Sequence, residues 1–249
     1  MINFFRRIRQ KLVAENRFSQ YVIYALGEII LVVIGILLAL QINNWNEEAK
    51  LNKLTQTYYE QILIDLDAEL FNIQENKDFI RNKMDSYEAY IKNFKENDWT
   101  YYQIISELGK VEFGTQTPLF NDNTFQTLKQ TGDIKLLPIE LRNKLIALER
   151  KMTYMSKIYD RNTAIYLEHM EGIAMYGFND SVYRYMQKPL LNEQLNNYLL
   201  TDKKVVEVVV AIEGLLRNRN SSNMKFLESY TQILEQINEV KSLVHSEIQ

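Results

Sequence analysis

Cysteine is missing from the sequence altogether, which removes disulfides, thiolate nucleophiles and cysteine-containing zinc sites in one step. Histidine is nearly missing. His169 and His245 are the only two, and neither falls in a His-Glu-x-x-His or Glu-x-x-His pattern, so the common helical metal motifs are excluded as well. No glycine-rich phosphate loop occurs; Gly172 and Gly177 are isolated. Aromatic residues fall on apolar seams rather than among basic ones, and the chain is acidic beyond its first forty residues, which argues against nucleic acid. We therefore expect no enzyme, no catalytic residue, no cofactor and no metal, and a stability that rests on packing alone.

What the sequence does have is one long apolar run. Residues 21–42 hold a single formal charge, Glu28, and 14 of the 22 are Val, Ile or Leu. As a helix the run reaches about 33 Å, enough for a hydrocarbon core of roughly 30 Å. Those 14 residues favour insertion by roughly 4–8 kcal/mol, against about 2–3 kcal/mol opposing from an off-centre carboxylate. A cleaved signal peptide would have a shorter apolar region ending in a small-x-small site, and Ala39-Leu40-Gln41 is a poor one. The segment reads as an uncleaved transmembrane helix.

Charge gives the orientation. Residues 1–20 carry Arg6, Arg7, Arg9, Lys11 and Arg17 against Glu15, a net of +4. The whole chain is −3, so residues 43–249 carry −6. The positive-inside rule predicts a cytoplasmic N-terminus and a translocated C-terminal domain, periplasmic if the host has two membranes and the helix sits in the inner one. Within residues 1–20, Phe4, Phe5, Ile8 and Leu12 share a helical face opposite Arg6, Arg7, Arg9 and Lys11. That is the pattern of an interfacial helix on anionic lipid; the plainer alternative is a disordered basic tail that only sets topology. Trp45 suits the opposite interface.

Residues 43–249 read as a helical domain. No glycine or proline occurs between Gly35 and Gly109, and a seam at Leu51, Leu54, Tyr58, Ile62, Leu66, Leu70, Ile73, Ile80, Met84, Tyr87, Ile91 and Phe94 predicts a stalk continuing from the membrane helix to near Asn97. Residues 98–137 predict connections with short helices, one capped by Asp122 or Asn123 and stopped by Gly132. Pro138 opens a second long pattern: Leu141, Leu145, Leu148, Met152, Met155, Tyr159, Tyr166, His169, Ile173, Tyr176. His169 on that seam reads as a hydrogen-bonded core histidine.

A short helix near 192–200 precedes Thr201, the expected cap of a last helix with its seam from Val205 to Val244. In that helix Arg217–Asn223 are polar on every face, which means either a local unwinding or a polar layer inside a bundle. The fold class expected is all-α: one N-terminal transmembrane helix continuing into an elongated three- or four-helix extracytoplasmic bundle, with negligible strand.

The run Gly27-Glu28-Ile-Ile-Leu-Val-Val-Ile-Gly35 through Ala39-Leu-Gln41-Ile-Asn-Asn-Trp45-Asn-Glu47 resembles the signature of an uncharacterised family of small membrane proteins from Bacteroidetes-type bacteria. Thr124–Leu141 is similar to a middle motif of the same family. The resemblance implies membrane anchoring and a two-membrane host, and assigns no catalytic residue.

Glu28 sits about 5 Å from the centre of the run, where an ionised carboxylate is costly. Protonation or a partner on a neighbouring helix would relieve it. Glu28, Gly35 and Ile42 recur every seven residues, and Gly35-x-x-x-Ala39 is a small-x-x-x-small surface. We therefore expect association of membrane helices through Glu28, Gly35, Ala39 and Ile42. A proton or ion pathway at Glu28 and a mere packing role are both open. The function expected is a membrane-anchored interaction or scaffold subunit of an envelope complex, with membrane lipid and either a second copy or another envelope protein as partners. The alternatives are a ligand-sensing bundle and a channel- or motor-associated subunit using Glu28.

Overall fold

A computed structural model describes residues 18–174 and 201–248; the basic segment with Phe4, Phe5, Arg6, Arg7, Arg9 and Lys11, and the helix expected near 192–200, lie outside the described residues. Among the described residues all regular structure is helical: α1 (Phe18–Glu96), α2 (Tyr101–Leu108), α3 (Asn123–Thr131), a 3-10 turn (Asp133–Leu136), α4 (Ile139–Ala174) and α5 (Asp202–Ile248). The chain divides into two compact units, Met1–Thr57 and Tyr58–Gln249.

In the first unit α1 is uncovered. The large apolar side chains described between Val22 and Ile42 are all exposed, and so are Leu51 and Leu54. The predicted seam thus starts too early: Leu51 and Leu54 are exposed, and burial begins at Tyr59.

The second unit is built on three long helices. The buried residues of α1 are Tyr59, Ile62, Leu66, Glu69, Ile73, Asn76, Ile80, Lys83, Tyr87 and Tyr90, alternating in steps of three and four. Those of α5 do the same from Val209 through Ile212, Leu216, Arg219 and Asn223 to Val244. A 3.5-residue period keeps one seam facing its neighbours along the whole contact. The α4 seam, Leu141 to Ile173, closes the core, with Tyr159 and Tyr230 among the largest side chains fully buried.

Cross-contacts give the directions. Lys144 pairs with Glu239 at 2.6 Å, Tyr159 and Phe226 have ring centroids 4.9 Å apart, and Arg219 reaches Thr163, so α4 and α5 are antiparallel. Asp67 with Lys241 and Tyr90 with Glu213 make α1 and α5 antiparallel too. Because α1 and α4 must then run parallel, the chain between them has to return the length of the bundle. It does so along α1: Glu112 N–H donates to Ser86, Gly114 C=O accepts from Lys83, Asn121 N–H donates to Glu69, Thr124 N–H to Asp65, and Tyr58 donates to Asp133.

Local rules explain the short elements. Thr100 and Gln103 form a capping box at α2. Gly132 ends α3 at φ +78°, the left-handed conformation that glycine adopts without steric cost. Asp122 precedes α3 but makes no side-chain cap; the first turn of α3 is held instead by Asp65 of α1, whose carboxylate accepts from Thr124 N–H at 2.8 Å. His169 is not a core histidine. It is exposed, with Nδ1 2.7 Å from the Ile165 carbonyl oxygen of its own helix.

Candidate functional site

Two features stand apart from ordinary packing. One is the uncovered apolar run of α1. A Cβ placed on Gly27 or Gly35 would meet nothing within 4 Å, Ala39 and Ile42 are exposed, and Trp45 is 61% exposed. Glu28 is partly covered and engages in an interaction within the chain.

The other feature is polar and lies inside the bundle. Helix α5 continues unbroken through Arg217–Asn223, so of the two readings of that stretch the polar layer is the observed one. Arg219 is 6% exposed and Asn223 3% exposed. The guanidinium donates through Nη1 to Thr163 Oγ1 (3.3 Å) and through Nη2 to Tyr159 Oη (3.2 Å), and it lies 4.8 Å from the Tyr166 ring centroid. Among the described residues its Nε–H has no acceptor.

Lys83, on α1, is equally buried; it donates to the Gly114 carbonyl and lies 5.3 Å from the Phe79 ring. Burial first, then the charge of Arg219, push the Lys83 ammonium down to about 8, while Glu112 pulls the other way. Tyr166 donates to Phe113 C=O at 2.9 Å, and burial raises its phenol to about 12 although the Arg219 charge opposes this. Gln116 N–H donates to Tyr159 Oη at 3.3 Å. The layer therefore joins α1, α4, α5 and the returning chain. Among the described residues it brings together two buried cations and no carboxylate within ion-pair distance of either.

A second buried polar residue lies lower on α1. Glu69 is 1% exposed and accepts from Asn121 N–H at 2.7 Å; burial pushes its carboxyl up to about 7, against the lowering effect of the Asn121 and Asn72 hydrogen bonds. Tyr230 Oη has no partner among the described residues, and burial, with the neighbouring Tyr159 and Glu69, raises its phenol.

The seam predicted for α1 misses these groups because it takes the apolar neighbour at each turn, Leu70 for Glu69 and Met84 for Lys83. Both apolar neighbours are only half-buried. The signal that finds the true positions is register: Ile62, Glu69, Asn76, Lys83 and Tyr90 stand seven apart.

Between α4 and α5, beside the layer, a groove of about 830 Å³ is lined by Arg219 and Tyr166 together with Asn162, Gly172, Gly214 and Leu215. A Cβ at Gly172 or Gly214 would meet nothing within 4 Å.

A family model matches residues 28–179, which is more than half of the chain and spans α1 to α4. The chain belongs to DUF6090, a family of unknown function. No curated protein and no solved structure matches this DUF6090 chain. The matched region begins at Glu28 and contains Thr124–Leu141 and all but Gly27 of the first stretch on which the sequence resemblance rests. It includes Glu69, Lys83, Tyr159 and Tyr166 of the DUF6090 chain but ends before α5, so Arg219 lies beyond it.

Proposed function

We propose that the protein is a membrane-anchored helical interaction subunit of a cell-envelope complex, whose bundle binds another envelope protein. The observation that carries this reading is the uncovered run of α1. It is the one helix of the described residues long and apolar enough to cross a membrane, and none of its most apolar window is buried by the rest of the chain. Left in water, such a surface costs about 25 cal/mol per Å², so lipid is its natural cover. The charge asymmetry, +4 before the run and −6 after it, orients the N-terminus to the cytoplasm and the bundle to the far side of the inner membrane. Gly35 and Ala39 offer a surface on which two such helices approach closely.

The test is made on the full chain in cells. An Asn97→Cys variant in a strain with a permeabilised outer membrane should react with an impermeant thiol reagent, and an Asn3→Cys variant should not; the native protein has no cysteine to interfere. The reverse pattern overturns the orientation. Extraction in mild detergent should give a particle larger than one chain. A strictly monomeric, partnerless protein in membrane extracts and in lipid nanodiscs would sink the interaction reading.

A further inference from the structure

We propose that the groove between α4 and α5 is a binding site for a small organic monocarboxylate with an apolar body, whose carboxylate is received by Arg219. Burying an arginine without an anion is costly, because its charge gives up hydration and gains only neutral acceptors. Here the cost is doubled. Lys83 is buried in the same layer, and among the described residues neither cation has a carboxylate partner. Thr163 and Tyr159 occupy two guanidinium donors, the buried Nε–H is left without an acceptor among the described residues, and Arg219 lines the groove. An anion bound in the groove beside Arg219 would offset both charges.

The glycines point the same way independently. Gly214 sits inside a long helix, where glycine costs roughly 0.8–1 kcal/mol relative to alanine, and Gly172 lies in the last turn of α4. No described neighbour requires a missing Cβ at either position, yet both line the groove. What they provide is open space in the walls, beside Ile165, Val208 and Leu215, that suits an apolar body.

The charge of the ligand follows from the rim. Glu168 and Glu207 are exposed and line the groove, Glu207 in an ion pair with Lys204 at 3.0 Å, so it is Glu168 that opposes entry of a dianion such as phosphate more strongly than that of a single carboxylate.

The experiment uses the full chain in lipid nanodiscs, with benzoate, hexanoate and 3-phenylpropionate as probes, the corresponding amides as uncharged counterparts, and inorganic phosphate. Binding is followed by calorimetry and ligand-observed NMR. At least one carboxylate should bind saturably, its amide and phosphate should not, and Arg219→Gln should weaken it roughly ten- to a hundredfold, the range for a charge-assisted hydrogen bond. Gly214→Leu fills the groove without touching the polar layer and should abolish binding while leaving the helical signal and melting temperature in place. It decides the matter even if Arg219→Gln does not fold. Failure of all three carboxylates to bind overturns the site. So does binding that persists in Gly214→Leu, binding of the amide as tight as that of the acid, or binding of phosphate alone.

Discussion

The most informative single residue is Glu69. Its carboxyl titrates near 7 in the folded protein against an ordinary value of 4.5, so between those two values the folded state keeps a proton that the unfolded state has released. Stability should therefore be highest below about pH 4.5 as far as this group is concerned, decline as pH rises to about 7, and level off above. The full span is worth about 3 kcal/mol as an upper figure. Glu69→Gln keeps an acceptor for Asn121 N–H and cannot ionise. The difference in urea midpoint between wild type and this variant should grow across pH 5–7 in favour of the variant and then stay constant. A difference independent of pH would mean that Glu69 is ionised throughout. Lys83 acts in the opposite sense in the alkaline range: burial lowers its ammonium from 10.5 to about 8, so its charge costs stability below about 8, and that cost shrinks as pH rises from about 8 towards the ordinary value of 10.5.

At the level of elements, α3 tests how far helix formation depends on tertiary support. Its first turn relies on Asp65 of α1 in place of a cap of its own. Asp65→Ala should cost about 1 kcal/mol, the value of a lost cap, and should speed amide exchange at Thr124 and Phe125 before it affects α4 or α5. Asp65→Asn keeps an acceptor oxygen and should preserve most of the protection. Equal exchange in both variants and wild type would show that the contact carries no energy. This contact also marks where sequence reading stops. The helices around Leu141–Ile173 and Val209–Val244 were legible because apolar side chains repeat there at helical spacing, and Gly132 announced its turn through the conformation only glycine takes easily. Glu69, Asn76 and Lys83 were not legible as core, because polarity at a seam position looks like an exposed neighbour until a packing partner is known. The exposure of His169 was hidden for the converse reason: an amphipathic ring beside Tyr166 fits a seam by period, while the actual seam passes through Thr163 and Tyr166 to Ile173. The groove depends on glycines distant in sequence, Gly172 and Gly214, and no local pattern connects them.

For the whole molecule, assembly is the property the apolar run of α1 bears on most directly. If membrane helices pair through Gly35 and Ala39, Gly35→Leu should reduce the oligomer measured in nanodiscs while insertion and helical content are retained; an unchanged oligomer would move the interface elsewhere. The bundle itself raises a different question, that of alignment. Seams with a seven-residue repeat are nearly self-similar, and α5 could slide by about 10 Å, two turns, and again set Ile, Leu and Val against apolar neighbours. The polar layer breaks this degeneracy. In the observed alignment Arg219 of α5 meets Thr163 and Tyr159 of α4; a slip of α5 by about seven residues would take its charge away from these acceptors, whereas Lys83, bonded to the Gly114 carbonyl of the returning chain, would keep its own. Arg219 thus acts as an indexing mark that selects one axial alignment out of several, at a cost in stability, as single buried polar residues do in other helical assemblies. Replacing it, as Arg219→Leu, should raise the melting temperature of the bundle and at the same time broaden its NMR spectrum into more than one packing arrangement.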